Sequence, residues 1–214
     1  MKQTEKKSRR YLSKLIIVFF IVLIASLYYK GCVHRPPYDA VKIAASETVL
    51  WKAYYKGEKK KLVWELVNLH RTQFGMTLLE ALKVSKELGE AAYIFSQVKS
   101  DYEEATLPYL RKAYSSIREY RNENFDVEAV SRAELSWWIA RRTPGKNSPE
   151  QVGAEIANLY ALLYGETNPD IQRAGYLRAR AACLRDQQES NPDWREIERL
   201  LRESYKALVK GVKQ

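Results

Sequence analysis

The sequence is poor in the side chains from which most catalytic and metal sites are built. It contains only two histidines, His34 and His70, and only two cysteines, Cys32 and Cys183. So few ligands exclude a histidine-rich or cysteine-rich metal site, and they define no disulfide framework. A di-iron bundle is also excluded, because it requires paired Glu-x-x-His motifs. We therefore expect no bound metal and no cofactor.

Short motifs with a recognised chemistry are missing as well. The chain has no glycine-rich phosphate loop, no nucleophile elbow and no Cys-x-x-Cys. Carboxylates are numerous, but no pair stands out in a chain with 29% charged residues. We therefore expect a protein that is not an enzyme. An inert, packed thiol is the expectation for Cys183, and a disulfide between Cys183 and Cys32 stays open.

The net charge of +10 is concentrated at the N-terminus. Residues 1–30 hold seven Lys/Arg and one Glu, whereas the remaining 184 residues hold 29 basic and 25 acidic side chains. Such an even mixture is typical of an ordinary solvated surface and not of a basic nucleic-acid-binding stripe. We expect no nucleic-acid partner.

A long apolar segment follows the basic residues 1–10. The run from Leu15 to Leu27 is unbroken, and the stretch 11–29 contains a single charge, Lys14. A helix over these residues spans about 28 Å, which matches the core of a bilayer. We predict a transmembrane helix over 11–29, with a cleaved signal peptide or lipidation at Cys32 as the alternatives.

The positive charges predict how this segment is oriented. Six Lys/Arg precede or open it, whereas only three follow in the first 20 residues beyond it. The positive-inside rule then keeps the N-terminus in the cytoplasm. We predict a single-pass protein of the inner (cytoplasmic) membrane, with a spacer over 30–38 and a periplasmic or otherwise extracytoplasmic domain over 39–214.

This domain is predicted to be all-α, since apolar/polar alternation is not sustained and no Asn-Gly or Asp-Gly turn occurs. Helix-start patterns recur instead. They are the capping-box spacings Thr77–Glu80, Ser100–Glu103 and Ser148–Gln151, together with Asp126, Asn168 and Asn191. These starts predict helical hairpins at about 39–73, 77–121, 126–165 and 168–212. Pro108 either kinks its helix or marks a later start.

One pattern recurs in the second helix of three hairpins: an aliphatic residue, a tyrosine four positions later, and an aliphatic residue three positions after that. The tyrosines are Tyr114, Tyr160 and Tyr205, which are 46 and 45 residues apart. With the small residues at 91–92 and 181–182, residues 77–212 resemble the tetratricopeptide-like helical repeats. The resemblance implies antiparallel hairpins stacked as a short α-solenoid. A compact helical bundle is the alternative.

Stacked hairpins of this class usually bind other proteins. The segment 132–142 includes adjacent tryptophans, which point about 100° apart on a helix and cannot share one narrow core stripe. Because tryptophan and arginine are enriched at interface hot spots, we predict partner contacts at Trp138, Arg141, Arg142, Arg118 and Arg121. Alternatively, both indoles are buried between hairpins and the arginines stabilise the helix C-terminus.

These observations favour a membrane-anchored interaction or scaffold module for a partner protein or a membrane complex. A permanent structural subunit of a membrane assembly is the first alternative. The second is a small-ligand-binding or enzymatic domain with a tyrosine-lined cavity. The sequence identifies neither the partner nor the oligomeric state.

Overall fold

The computed structural model describes residues 39–212, and this part of the chain is all-α, without strands. Its eight helices are α1 Ala40–Tyr55, α2 Lys59–Phe74, α3 Leu78–Gln97, α4 Tyr102–Arg121, α5 Val127–Arg142, α6 Pro149–Tyr164, α7 Pro169–Gln187 and α8 Trp194–Val212. Among these described helices, none is long and apolar enough to cross a bilayer. The predicted membrane segment 11–29, the spacer 30–38 and Cys32 lie outside the described residues.

Most of the predicted helix caps are confirmed. Thr77 and Glu80 form a full capping box, in which each side chain accepts a hydrogen bond from the other's backbone N–H, at 3.3 and 2.9 Å. Asp126 and Asn168 each accept hydrogen bonds from two backbone N–H groups of the helix they precede, and Ser148 accepts one. These starts are predictable because a cap is a local interaction.

Two predicted caps are wrong. The segment Ser100–Glu103 forms no capping box, because Asp101 precedes α4 in a left-handed conformation without a side-chain cap bond. At α8, Asp193 instead of Asn191 accepts the N–H groups of the first turn. Pro108 lies inside α4, so the helix begins before the proline.

Successive helices pack against one another along the whole described chain, and α1 also packs against α8. The short loops make neighbouring helices antiparallel, so the odd-numbered helices share one direction. Accordingly, Arg141 near the end of α5 donates hydrogen bonds to Tyr55 at the end of α1 and to Asp186 at the end of α7. Stacked hairpins are common to both predicted architectures, whereas a contact between the first and last helices is a feature of the compact bundle.

Helices α6 and α7 approach each other closely at two glycines. A Cβ on Gly153 of α6 would lie 2.8 Å from the Tyr176 Cα, and a Cβ on Gly175 of α7 would collide with the Gly153 carbonyl. Real Cβ atoms do not pack so closely to backbone. The glycines therefore allow α6 and α7 to come nearer to each other than side chains would permit.

The apolar core runs continuously through α3 to α8, and smaller clusters attach the first two helices. Ala44 of α1 packs in a cluster with residues of α7 and α8, whose largest members are Ile197, Leu200 and Leu201. Helix α2 buries only Val67, His70 and Gln73, and Val67 packs with Ala81 and Val84 of α3. As a result, much of α2 lies at the surface.

Candidate functional site

The structure does not bring the five predicted partner-contact residues together. Arg118 and Arg121 lie at the C-terminal end of α4, whereas Trp138, Arg141 and Arg142 lie at the C-terminal end of α5. Because α4 and α5 are antiparallel, these two groups are at opposite ends of the bundle. The groups are separated by roughly the length of a 16-residue to 20-residue helix, about 24–30 Å.

At the end of α5, the predicted residues contact the protein itself. The Trp138 indole is half-buried, and its N–H donates to Glu134 at 2.9 Å. Arg142 donates to the Phe95 carbonyl at 2.7 Å, and its guanidinium lies 3.8 Å from the centre of the Phe95 ring. Trp137 is buried. One indole is therefore buried, and the other is half-buried beside Phe95.

At the end of α4, Arg121 forms an ion pair with Glu123 at 2.9 Å and lies over the Phe74 ring. Arg118 is exposed and donates to the Phe125 carbonyl at 3.5 Å. Of the five residues, Arg118 and Arg142 are the most exposed. A partner contact at any of the five stays a prediction.

Two of the three repeat tyrosines, Tyr114 and Tyr205, belong to a largely buried polar network that joins five helices. On one side, Glu47 of α1 accepts two hydrogen bonds from the Arg178 guanidinium of α7, at 3.0 and 2.7 Å. The other oxygen of the same carboxylate accepts the hydroxyl of Tyr205 from α8. One carboxylate of the first helix therefore connects the last two helices.

The other side of the network is centred on Glu134 of α5. This carboxylate accepts the Tyr114 hydroxyl at 2.8 Å and the Trp138 indole N–H at 2.9 Å. The Arg178 guanidinium lies 5.2 Å from the centre of the Trp137 ring, between the two halves. Cation–π packing thus links the two carboxylate centres.

The protonation states of this network follow from its surroundings. Burial raises the pKa of Tyr160, and it raises the pKa values of Tyr114 and Tyr205 well above the ordinary value. For Arg178, burial lowers the pKa, but the Glu47 carboxylate and other neighbours outweigh it and leave the pKa well above the ordinary value. All three phenols are therefore neutral, and Tyr114 and Tyr205 donate hydrogen bonds to the carboxylates. The Tyr160 hydroxyl is buried without a hydrogen-bond partner, and the Arg178 guanidinium is charged.

Sequence reasoning missed Glu47, Glu134 and Arg178 because charged residues are abundant in this chain. A signal was present at Glu47, which is four positions after Ile43 and three before Leu50, both buried on α1. A charged side chain within an apolar helical stripe indicates a buried partner of opposite charge.

A cavity of about 190 Å³ opens where the C-terminal ends of α5 and α7 meet, lined by Arg141, Asn147, Cys183, Asp186 and Gln187. Arg141 donates to Asp186 at 2.7 Å and to Tyr55 at 2.9 Å. Burial raises the pKa of the Cys183 thiol, which donates to the Asn147 carbonyl at 3.3 Å. Cys183 is thus a protonated thiol on the cavity wall.

Residues 39–212 contain no group of three or more His, Cys, Asp or Glu side chains that could hold a metal ion. His70 is buried, and its Nδ1 lies 3.1 Å from the Ser85 hydroxyl. Burial lowers the pKa of His70 to about 4. The imidazole is therefore neutral at pH 7.

A separate feature is an exposed surface along α2 and α3. Of the six large apolar side chains exposed in residues 39–212, four are on these helices, and Trp64 (56% exposed) and Tyr93 (48%) are the most exposed of the four. We define the α2–α3 face as Lys60, Trp64 and Arg71 of α2 with Leu79, Leu82, Lys86 and Tyr93 of α3. Spacings of three, four and seven residues place each set on one stripe of its helix.

The α2–α3 face is also positively charged. Every charged residue that is exposed as a whole on these two helices is basic: Lys59, Lys60, Lys61, Arg71, Lys83 and Lys86. The four glutamates of the same helices are half-buried, and one of them, Glu90, pairs with Lys86 at 3.6 Å. Lys59 lies 4.5 Å from the Tyr93 ring centre, which places apolar and cationic groups side by side.

No protein-family model matches this chain, and comparisons with curated proteins and with solved structures return no significant match. Its function therefore has to be inferred from its own surface, cavity and buried groups.

Proposed function

We propose that this protein is a membrane-anchored interaction module and that the α2–α3 face is its docking surface. The observation that supports the proposal is the clustering of four exposed apolar side chains, Trp64 among them, between exposed basic ones. Contiguous exposed apolar surface rimmed by polar residues is typical of an interaction site. Tryptophan, tyrosine and arginine are also the residues most enriched at binding hot spots.

The chemistry of the face specifies the kind of partner. Trp64, Leu82 and Tyr93 offer an apolar stripe, and Lys60 and Lys86 lie beside it. A complementary segment carries apolar side chains at helical spacing with Asp or Glu on either side. We therefore propose an acidic amphipathic helix of a partner protein as the occupant, and charge complementarity selects it over a basic or purely apolar segment.

The proposed anchor is the predicted helix over 11–29, joined to α1 by the spacer 30–38. Tethering raises the local concentration of the domain near a membrane-bound partner. A small docking surface with modest affinity is then sufficient for binding. The α1–α8 contact supports a compact bundle within this proposal. The partner would then dock on the outer face of a hairpin pair and not in the concave groove of an open solenoid.

Site-specific photo-crosslinking in full-length protein in native membranes tests the proposal. A photoreactive phenylalanine analogue replaces Trp64 in one variant and Tyr176, an exposed aromatic residue of α7, in the matched control. We expect one crosslinked protein at position 64, attached through an acidic amphipathic segment, and none of it at position 176. Identical products at both positions, or a segment without acidic residues, would refute the proposal.

A permanent structural subunit would use the same face, and exchange separates the two functions. We expect excess unlabelled full-length protein, added before irradiation, to take up the partner within minutes and so to abolish the crosslink at position 64. A partner that stays attached until the domain unfolds would favour the permanent subunit.

A further inference from the structure

Helix α2 is held in the bundle by few buried side chains. Its three buried residues, Val67, His70 and Gln73, are fewer than those of any other described helix, and two of them are polar. At the start of α2, Glu58 caps no backbone N–H, and residues 59–61 are three lysines. Positive charge at this end opposes the helix dipole. We therefore expect α2 to open at a lower free-energy cost than the rest of the domain.

A glycine in the left-handed conformation adjoins each end of α2. Gly57 lies two positions before the helix with a φ of 69°, and Gly75 follows its last residue with a φ of 67°. Apart from the adjoining residues, no heavy atom lies within 4 Å of a Cβ placed on either glycine. These two positions are suited to act as hinges about which α2 moves as a unit.

The titratable residue that α2 buries is His70, which lies in the contact with α3. His70 is 5% exposed, and its Nδ1 lies 3.1 Å from the hydroxyl oxygen of Ser85, which is fully buried. The centre of the imidazole is also 5.7 Å from the centre of the Phe74 ring. A neutral imidazole fits among these groups, whereas a protonated one would be a charge buried in a largely apolar contact.

The charged groups around His70 give a proton no compensation. Burial lowers the pKa of His70, and the positive charge of Arg121 from α4 lowers it further. Arg121 itself pairs with Glu123 at 2.9 Å, and no carboxylate of residues 39–212 forms an ion pair with His70. The other charged neighbours on α3 and α1 interact elsewhere: Glu80 in its capping box, Lys86 with Glu90, Lys83 with Tyr120 and Glu87, and Asp39 with Lys42. Protonation of His70 therefore adds a second positive charge near Arg121 and weakens the contact between α2 and α3.

We propose that α2 is a pH-sensitive segment: protonation of His70 shifts it toward an open state that is detached from α3, with Gly57 and Gly75 as the hinges. Opening separates Trp64 from Tyr93 and so divides the α2–α3 face. Mildly acidic surroundings thus weaken docking, and neutral surroundings restore it. Only this effect on docking rests on the proposed function, because the opening of α2 requires no partner.

Amide hydrogen exchange of the full-length protein in detergent micelles measures the opening directly. Between pH 7.5 and 5.0, after correction for intrinsic exchange rates, the protection factors of α2 should fall at least tenfold. The limit is about 25-fold, because the open segment binds a proton with the ordinary pKa of 6.5 and the closed one with a pKa of about 4. Helix α6 should stay at least about 100-fold more protected than α2 at both pH values. Equal protection in α2 and α6, or protection of α2 that does not change with pH, would overturn the proposal.

Matched variants assign the effect to His70. His70→Leu with Ser85→Ala should reduce the pH dependence of α2 protection to less than twofold. His70→Gln keeps a neutral polar side chain and replaces this variant if it does not fold. His34→Gln changes the other histidine of the chain and should leave the pH dependence as in wild type. A dependence that persists without His70, or that is lost with His34, would refute the assignment.

The crosslink at position 64 separates this inference from the proposed function. Between pH 7.5 and 4.5, its yield should fall at least twofold more in the otherwise wild-type chain than in the His70→Leu/Ser85→Ala background. If α2 opens in acid but position 64 captures no acidic segment at pH 7.5, the pH-sensitive segment stands and the proposed docking surface is wrong. If the crosslink forms and its yield falls equally in both backgrounds, the docking surface stands and its regulation by His70 is refuted.

Discussion

Arg178 of α7 donates two hydrogen bonds to a single carboxylate oxygen of Glu47, which lies 131 positions earlier in α1. The pair joins the beginning of the described chain to its last hairpin, and Tyr205 completes the contact from α8. Because both charges are largely buried, breaking this ion pair costs more stability than breaking one of the many pairs at the surface.

We predict that Glu47→Gln lowers the free energy of unfolding by about 3–5 kcal/mol, since it leaves the Arg178 guanidinium buried without a countercharge. The double change Glu47→Leu with Arg178→Leu should recover most of this loss. Urea denaturation of the full-length protein in micelles measures both. As a control, Glu196→Gln breaks an exposed pair with Arg199 and should cost about 1 kcal/mol or less. Equal losses in the two single variants would contradict the prediction.

Gly175→Ala should destabilise the protein by about 1–3 kcal/mol, because the added methyl group meets the backbone of α6. Gly89→Ala is the matched control in α3. A Cβ there would lie 3.9 Å from Val63, an ordinary contact, and alanine favours a helix over glycine. We therefore expect Gly89→Ala to raise the melting temperature and Gly175→Ala to lower it. A melting temperature that rises in both variants would show that the α6–α7 contact adapts.

His70 should make the protein less stable in acid. Its folded pKa is about 4, below the ordinary value of 6.5, so between these values the unfolded chain binds a proton that the folded protein does not. The contribution of His70 to the free energy of unfolding is complete above about pH 7. It falls by about 1.4 kcal/mol per pH unit as the pH drops toward 4.

The comparison between wild type and a His70→Leu/Ser85→Ala variant isolates this contribution, because His70 and Ser85 contact each other. Between pH 7.5 and 4.5 the free energy of unfolding should fall by about 2–3 kcal/mol more in wild type than in the variant. Parallel pH profiles would assign the acid sensitivity to other groups.

Lys60→Glu with Lys86→Glu should weaken binding of the proposed partner, because the two lysines on the α2–α3 face then repel its acidic side chains. We expect a loss of affinity of at least tenfold at low salt and a shallower dependence on ionic strength. Lys206→Glu, on the exposed side of α8, should leave affinity unchanged. If only the Lys206→Glu variant bound the partner more weakly, the docking surface would lie on α8.

Local features of this fold are readable from the sequence, and long-range ones are not. Thr77, Asp126 and Asn168 cap helices because a cap needs only the next three residues. At Asn191 the same reasoning fails, since Asp193, two positions later, caps the helix instead. The periodic tyrosines are visible as a pattern, but their partners Glu47 and Glu134 come from other helices.

The proposed docking surface illustrates a different difficulty. The segment with Trp138 and Arg142 looks like an interface in sequence, yet both side chains contact Phe95. Trp64 carries no distinguishing pattern, and its exposure follows from how little of α2 is covered by α1 and α3. Whether a tryptophan faces solvent depends on tertiary packing, which its neighbours in the sequence do not reveal.

The contact between α1 and α8 also has a consequence for synthesis. Helix α1 has a packing partner that is translated more than a hundred residues later, so Ala44 and Glu47 lack their contacts until Leu200 and Tyr205 have been made. Until then, the apolar side chains of α1 are exposed and can be bound by chaperones or by other nascent chains. Folding would therefore be completed in one late, cooperative step, and a chain arrested before α8 would be a substrate for proteolysis.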